Sequence, residues 1–349
     1  MKKLKNEHSI IKNSHMNVTE IPFKYLSKLD GRPERTTVSL KEVQDAAEVI
    51  YNTSCLEPTK ARMQALNVMK AACDRVEPDI YQRFCARNND IPTSELEEIY
   101  KNYPALWWHD DAFRKILPEV LYTPALDGHP ILWHVYNMGY VIKTSTSLFA
   151  IDLHHRLANL LVQYIVFAGI THNHDDHYTI PFADAVNKAG KPLITNFFSN
   201  SCYLNSDGQS GYSRETRRTL QFGDITVNTF ESDHNRALRK FVQPIEIHCG
   251  VGKNERVILT SGDTCDAKQL SGCARHPDCY IVHPYVSLDV SEAAKLLRPK
   301  MTLISHLQEF HHPIHAARWT WRQGYEAAKK CWDAGYAAVV PAWGEKIVL

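Results

Sequence analysis

Thr171-His172-Asn173-His174-Asp175-Asp176-His177-Tyr178 is the stretch on which the reading of this chain turns. Four metal-binding side chains, His172, His174, Asp176 and His177, fall within six residues. The run before it, Tyr164 to Ile170, is apolar and β-prone, so the cluster begins where a buried strand should end. One such histidine alone reads as a solvated loop residue or a satisfied core residue. Four together read as a metal site, because imidazole nitrogens and a carboxylate oxygen suit zinc, iron or manganese.

Three further strands each end in a potential ligand. Thr219–Phe222 and Ile225–Phe230, with Gly223-Asp224 as the turn, form a β-hairpin that leads into Glu231-Ser232-Asp233-His234-Asn235. Arg256 to Thr260 is a strand that ends in Ser261-Gly262-Asp263-Thr264, where glycine allows a tight turn. Met301 to Ser305 is a strand that ends at His306. Strand ends converge at one rim of a sheet, so residues far apart in sequence can meet there. Upstream, Pro130–Tyr136, Gly139–Thr144 and Ser147–Asp152 read as strands, followed by His154-His155, which read equally well as site residues or as a loop. Leu157–Leu161 and Pro181–Lys188 read as helices, Pro192–Asn196 as a strand, and the Ser-, Asn- and Gly-rich run from Ser199 to Arg218 as a long loop beside the site. Tyr203, Tyr212, Arg214, Arg217 and Arg218 in that loop are substrate-contact candidates or solvated residues.

Before residue 125 the texture is helical. Residues 1–36 read as a polar, basic tail. Ser39 and Glu42 form a capping box, and Val43, Ala46, Ala47 and Ile50 follow at helical spacing. Helices are also expected over Thr59–Cys73, from Pro78 through Phe84, and from Thr93, so residues 37–124 form a helical region. Cys55, Cys73 and Cys85 read as small buried hydrophobes and Trp107-Trp108 as core or interface. Cys273 and Cys279 flank His276 at a spacing that fits no common zinc pattern.

Composition narrows the function. The chain has 349 residues, 44% of them hydrophobic, which is ample for a full core. Forty basic against 39 acidic residues leave a net charge of +1, which disfavours extended nucleic acid as a partner. No secretory signal or membrane-spanning run is expected, and nine scattered cysteines suit a reducing cytoplasm.

The set His172-x-His174-x-Asp176-His177, then His234, Ser261-Gly262-Asp263-Thr264 and Ser305-His306, resembles the metallo-β-lactamase-fold hydrolases over roughly residues 125–349. The resemblance implies an α/β fold, a four-layered αβ/βα sandwich with two sheets back to back and helices outside, here with an α-helical N-terminal region. It implies a centre of two divalent ions. His172, His174 and His234 would hold the first, Asp176, His177 and His306 the second, and Asp263 would bridge. A carboxylate at 263, where many β-lactamases have cysteine, points away from antibiotic resistance. Zinc is the expected metal, with manganese and iron as alternatives. Such ions lower the pKa of bound water from about 15.7 to near 7, giving hydroxide at neutral pH.

The expected activity is therefore dinuclear metal-dependent hydrolysis of a small, anionic substrate, first a phosphodiester. The phosphodiester reading resembles the branch with tRNA 3′-end-processing endonucleases and cyclic-nucleotide phosphodiesterases. The alternative is a small cyclic ester or amide, as for the ascorbate-6-phosphate lactonases, and after it a diiron redox or non-catalytic binding protein. Asp176, His311 and His312 are the catalytic candidates, the last two for leaving-group protonation. Arg318 and Arg322 are expected to hold a phosphate or carboxylate, or to lie solvated on a helix over Pro313–Cys331. The N-terminal helices are expected to cap the site face or to make a homo-oligomer.

Overall fold

The computed structural model describes residues 23–30, 37–87, 90–197 and 217–349. Most of the expected tail, and Tyr203, Tyr212 and Arg214 of the expected loop, lie outside the described residues. Five helices come first: α1 Leu40–Tyr51, α2 Lys60–Cys73, α3 Pro78–Cys85, α4 Thr93–Asn102 and α5 Pro104–Tyr122. They are followed by β1 Ile131–Tyr136, β2 Gly139–Lys143, β3 Leu148–Ile151, β4 Ala168–Gly169, α6 Ile180–Lys188 and β5 Leu193–Ile194. The second half holds β6 Arg217–Phe222, β7 Ile225–Phe230, β8 Ile245–Cys249, β9 Arg256–Thr260, β10 Cys279–Val282, α7 Val290–Leu297, β11 Thr302–Ile304, α8 Trp321–Asp333, β12 Ala338–Val339 and β13 Lys346–Val348. Arg217 and Arg218 thus belong to an edge strand rather than to the expected loop.

The strands make two sheets, ordered β13-β1-β2-β3-β4-β5 and β12-β11-β10-β9-β8-β7-β6. One set of side chains from each sheet meets in a shared apolar layer: Leu132, Ile142, Phe149 and Phe167 from the first, Val227, Ile247, Ile258 and Ile281 from the second. The opposite faces, with Trp133, Val141 and Ala150 or Leu259, Tyr280 and Ile304, pack among the helices. Strands covered on both faces, such as β3 and β10, read as unbroken apolar runs, whereas β7 and β8 alternate apolar and polar residues. This is the four-layered αβ/βα sandwich that the resemblance implied. No helix among the described residues is long and apolar enough to cross a membrane.

Parallel pairing sets up the site. β3, β4 and β5 run parallel, as do β9, β10, β11 and β12. Their C-terminal ends therefore come out on one rim, where open α/β sheets place ligands.

The N-terminal helices are built as the sequence suggests locally. Ser39 Oγ accepts from Glu42 N at 3.2 Å and Glu42 accepts from Ser39 N at 2.8 Å, the expected capping box. Their tertiary role is less local. Trp108 stacks on Trp343, with ring centroids 4.4 Å apart, so the Trp107-Trp108 pair belongs to the core. The fully buried Arg62 forms a two-pronged ion pair with Glu345, and Asp110 of α5 pairs with the buried Arg156 that follows β3.

Several expectations are corrected. Tyr164–Ile170 shrinks to the two-residue β4, and Leu157–Leu161 becomes a 3-10 turn at Ala158–Leu161. The helix expected from Pro313 starts only at Trp321, where Thr320 and Gln323 form a second capping box. The reason is Arg318. Its guanidinium donates to the carbonyls of His312, Phe310 and Cys73, which pins residues 306–320 as a loop. Arg318 is thereby occupied and does not serve as an anion clamp, while Arg322 pairs with Glu326. Cys279 lies in the layer between the sheets and Cys273 in the outer core, on opposite sides of β10, so the two cannot share an ion through His276.

Candidate metal centre

His172, His174, Asp176 and His177 occupy the turn that follows β4, as the sequence suggests. Thr171 anchors that turn. Its N–H and hydroxyl both donate at 2.7 Å to Asp152, which sits just after β3 with φ 45°. A carboxylate only accepts, so His177 Nδ1, at 3.0 Å from Asp152, is the donor and its Nε2 carries the free lone pair. The Thr171 oxygen, its own proton committed, faces His172 Nδ1 at 3.1 Å and accepts from it. His172 Nε2 is then the free lone pair as well. One threonine and one aspartate thus fix two imidazoles with their basic nitrogens facing the same space.

The other strand ends deliver their residues to that space. Asp263 arrives on the Ser261-Gly262-Asp263 turn after β9. A Cβ at Gly262, where φ is 49°, would meet the Thr171 side chain at 2.7 Å, so only glycine lets this turn press against the first one. His234 follows β7 and is held by a backbone bond to Leu238, while Asn235 Oδ1 accepts from the N–H groups of Ala237 and Leu238. His306 follows β11 in a left-handed conformation, φ 62°, that turns its ring inward.

The donor atoms form two groups. Those of His172, His174, His234 and Asp263 lie within 4.8 Å of one another, and so do those of Asp176, His177 and His306. The distances within and between groups are 3.1 Å for His172 to His174, 3.4 Å for His234 to Asp263 and 3.3 Å for His177 to Asp263. His306 Nε2 is 2.9 Å from Asp176 Oδ2 and 3.7 Å from Asp263 Oδ2. Ligands about 2.1 Å from a tetrahedral zinc stand roughly 3.4 Å from one another, so these spacings fit. The polar accounting agrees: His177 Nε2, His306 Nε2 and Asp263 Oδ1 are buried and make no hydrogen bond. Buried lone pairs with no partner are costly unless something else binds them. Asp263 lies between the groups and its oxygens face both.

Burial opposes ionisation of Asp263 and Asp176, but the surrounding histidines outweigh it and hold both carboxyls well below the usual range. Burial pushes His172 and His174 down and keeps them neutral, as ligands must be. Burial also acts against the charged form of His177 and His306, yet the carboxylates beside them prevail and raise both. Phe241 closes one side, with its ring 5.6 Å from that of His172 and 5.0 Å from that of His174.

Asp176, Glu309 and His312 also converge within 4.8 Å. Glu309 is fully buried; it accepts from His311 N at 2.7 Å and stands 2.7 Å from His312 Nδ1. That hydrogen bond raises the His312 pKa to about 9 and leaves its Nε2 as the second N–H. His311 turns instead toward the helical region, its ring 5.1 Å from Tyr81 and 4.6 Å from His154. His154 in turn hydrogen-bonds Tyr81 Oη at 3.1 Å. His155 stacks on His109 at 4.0 Å, with its own nitrogens used by Leu157 N and the His109 carbonyl, so it serves the core.

Four residues at this rim have no role in the sequence reading. Asp152 orients His177; Asn137, φ 53°, donates to the Asp176 carboxylate at 3.1 Å; Glu309 holds His312; and His283 stands 3.2 Å from Asp263. His283 had the same signature as His306, a short apolar run, Cys279-Tyr280-Ile281-Val282, ending in histidine.

No protein-family model and no curated protein matches the sequence. Solved structures do resemble it. Igni18, a metallo hydrolase from Ignicoccus hospitalis, is 17% identical at TM-score 0.47, covering 63% of this chain and 98% of its own. YhfI, a metallo-β-lactamase fold protein from Bacillus subtilis, is 13% identical at TM-score 0.44, covering 63% and 99%. CmlA, a diiron β-hydroxylase from Streptomyces venezuelae, is 13% identical at TM-score 0.47, covering 65% and 54%. The sheets themselves define the fold. Two face-to-face mixed sheets, helices on both outer faces and the His172–His177 turn at the rim of the parallel strands make this the metallo-β-lactamase fold.

Proposed function

We propose that this chain is a metal-dependent hydrolase of the metallo-β-lactamase superfamily that cleaves a small anionic ester, with a phosphodiester as the first substrate class. One observation carries the reading: seven side chains from four strand ends converge on one space, and several of their buried donor atoms have no partner. The division into two groups about Asp263 supports two ions. Three imidazoles and a carboxylate suit zinc, and manganese or iron fit the same donors. Divalent ions held there supply a water acidified toward neutrality and polarise the scissile bond.

The chain's own residues do the rest. Asp176, steadied by Asn137, lies beside the bridging position and orients the attacking water. The Glu309–His312 pair keeps a proton on His312 Nε2, available to the departing alkoxide, which then leaves as an alcohol. The segment after His234 presents Arg236, Arg239 and Lys240 to solvent, beside a cleft of about 360 Å³ lined by Glu231, Ser232, Asp233, Arg239, Lys240 and Gln269. Lys240 pairs with Glu231 at 3.1 Å, so Arg236 and Arg239 are the cations that suit an anionic substrate, and the near-zero net charge suits a small one.

Elemental analysis of the purified protein tests the centre: close to two ions per chain are expected, and Asp263→Ala should lose at least one. Full metal content in a His172→Ala/His174→Ala double variant would overturn the ligand assignment. Substrate class is read from parallel assays with bis-p-nitrophenyl phosphate, cyclic nucleotides and simple lactones. Phosphodiester turnover without lactone turnover supports the proposal. Lactone turnover alone replaces it with the lactonase reading, and neither activity, with iron bound, replaces it with a redox role.

A further inference from the structure

β9, β10 and β11 are adjacent and parallel, with Ile281 in register with Thr260 and Val282 with Ile304. Each is followed at the rim by a chemistry-bearing residue: Asp263, His283 and His306. The middle one has no role in the centre as described above. His283 is 3% exposed, and both its ring nitrogens are buried without a hydrogen bond. Its Nδ1 lies 3.2 Å from Asp263 Oδ2, and its ring stacks on that of His306 at 3.6 Å with 5° between the planes. A buried neutral imidazole offers one donor and one acceptor, and leaving both unmet is costly.

Stacking excludes the simplest use of those nitrogens. The lone pairs of an imidazole lie in its ring plane, and the two planes are parallel with centroids 3.6 Å apart, so His283 and His306 are not set to hold one ion between them. The remaining partner within reach is the carboxylate.

Resting on the two-ion reading, we propose that His283 is a positioning residue: its Nδ1, 3.2 Å from Asp263 Oδ2 but not yet aligned with it, would donate to that carboxylate once the centre is loaded and hold it between the two groups. Its stacked ring also limits the rotation of His306. The centre is then set by two relays of opposite kind: Asp152 accepts from a ligand imidazole, and His283 donates to a ligand carboxylate. Hydrogen-bond partners of this kind change metal affinity by about 10–100-fold.

Two substitutions separate the hydrogen bond from the packing. His283→Phe keeps a ring on His306 and removes the donor; His283→Asn keeps an N–H near the Nδ1 position and removes the ring. Zinc affinity of the full chain is measured by competition with a chromophoric chelator. The expected result is His283→Asn close to wild type and His283→Phe weaker by about 10–100-fold at one ion. In His283→Ala, added imidazole should restore zinc affinity. His283→Phe binding zinc like wild type overturns the proposal, as does a His283→Asn as weak as His283→Phe or an alanine variant that imidazole leaves unchanged. A wild-type chain that binds no zinc, manganese or iron would instead refute the metal centre itself.

Discussion

Asp152→Asn is the sharpest test of how the centre is oriented. The Asp152 carboxylate is fully buried and takes three hydrogen bonds, at 2.7 Å from Thr171 N, 2.7 Å from Thr171 Oγ1 and 3.0 Å from His177 Nδ1. Asparagine keeps the shape and one accepting oxygen, which Thr171 N–H can still use. The other position becomes an NH₂ group, which cannot accept from the hydroxyl or the imidazole. His177 then moves its proton to Nε2 and turns its lone pair toward the amide. The nitrogen that faces Asp263 at 3.3 Å can no longer bind a cation. The expected loss is about 10–100-fold in affinity for one ion, or roughly 1.4–2.7 kcal/mol. The ion held by His172, His174 and His234 should be weakened less. Metal content after equilibration at graded free zinc reads this directly, and thermal unfolding of the chelated protein reports the lost charged hydrogen bonds separately. Two ions retained at wild-type affinity in Asp152→Asn would refute the relay from Asp152 through His177.

Glu309→Gln should move the alkaline limb of kcat/KM. His312 stays protonated to about pH 9 because Glu309 accepts from it, and without that bond its pKa falls toward the ordinary value near 6.5, so the acid form is lost about two units earlier; an unmoved limb would exclude His312 as the proton donor. Asp110→Asn should remove part of the acid sensitivity of folding. Burial raises the Asp110 pKa, but His109 and Arg156 outweigh it and hold the group well below the usual range; its stabilisation is present above about pH 4 and is lost as pH falls through the depressed folded value. The variant should be less stable by about 3–5 kcal/mol in urea at neutral pH, since the buried Arg156 loses its ionised partner, with a flatter dependence below pH 4. Gly262→Ala should destabilise by about 1–3 kcal/mol and weaken both ions, because the new Cβ meets Thr171 at 2.7 Å; a variant with wild-type metal affinity would show that the two turns are not interlocked.

The legible parts of the site are those with a local signature. His172 to His177 carry their spacing in the chain itself. His234, Asp263 and His306 follow β-prone runs, and the convergence of strand ends brings them together. Asp152 and Asn137 were hidden for a physical reason: they act through left-handed backbone positions, φ 45° and 53°, at turns where any polar residue would read as ordinary. Glu309 reads as one more polar residue in a His-rich segment until the loop folds over it. β12 and β13, of two and three residues, have no pattern of their own; neighbours define them. The late start of α8 depends on Arg318 reaching the carbonyl of Cys73, 245 residues away, which no window along the sequence contains.

The same kind of long-range contact bears on what the helical region is for. Read locally, residues 37–124 look like an appendage. Its buried charges say otherwise. Arg62 finds its partner in Glu345, 283 residues later, and Glu345 also accepts from Cys55 N and Ala342 N. Asp110 finds Arg156, and Tyr81 touches both His154 and the ring of His311. Removing one partner of a buried pair costs about 3–5 kcal/mol, and two such pairs cross between the helices and the sandwich. Stripping the helices would break both pairs and bare the Trp343 face that Trp108 covers, so a single unfolding transition is expected for the helices and the sandwich together. The loop that carries Glu309, His311 and His312 is shaped from the helical side by Tyr81 and from below by Arg318, so the proposed proton donor stands at the seam between the two.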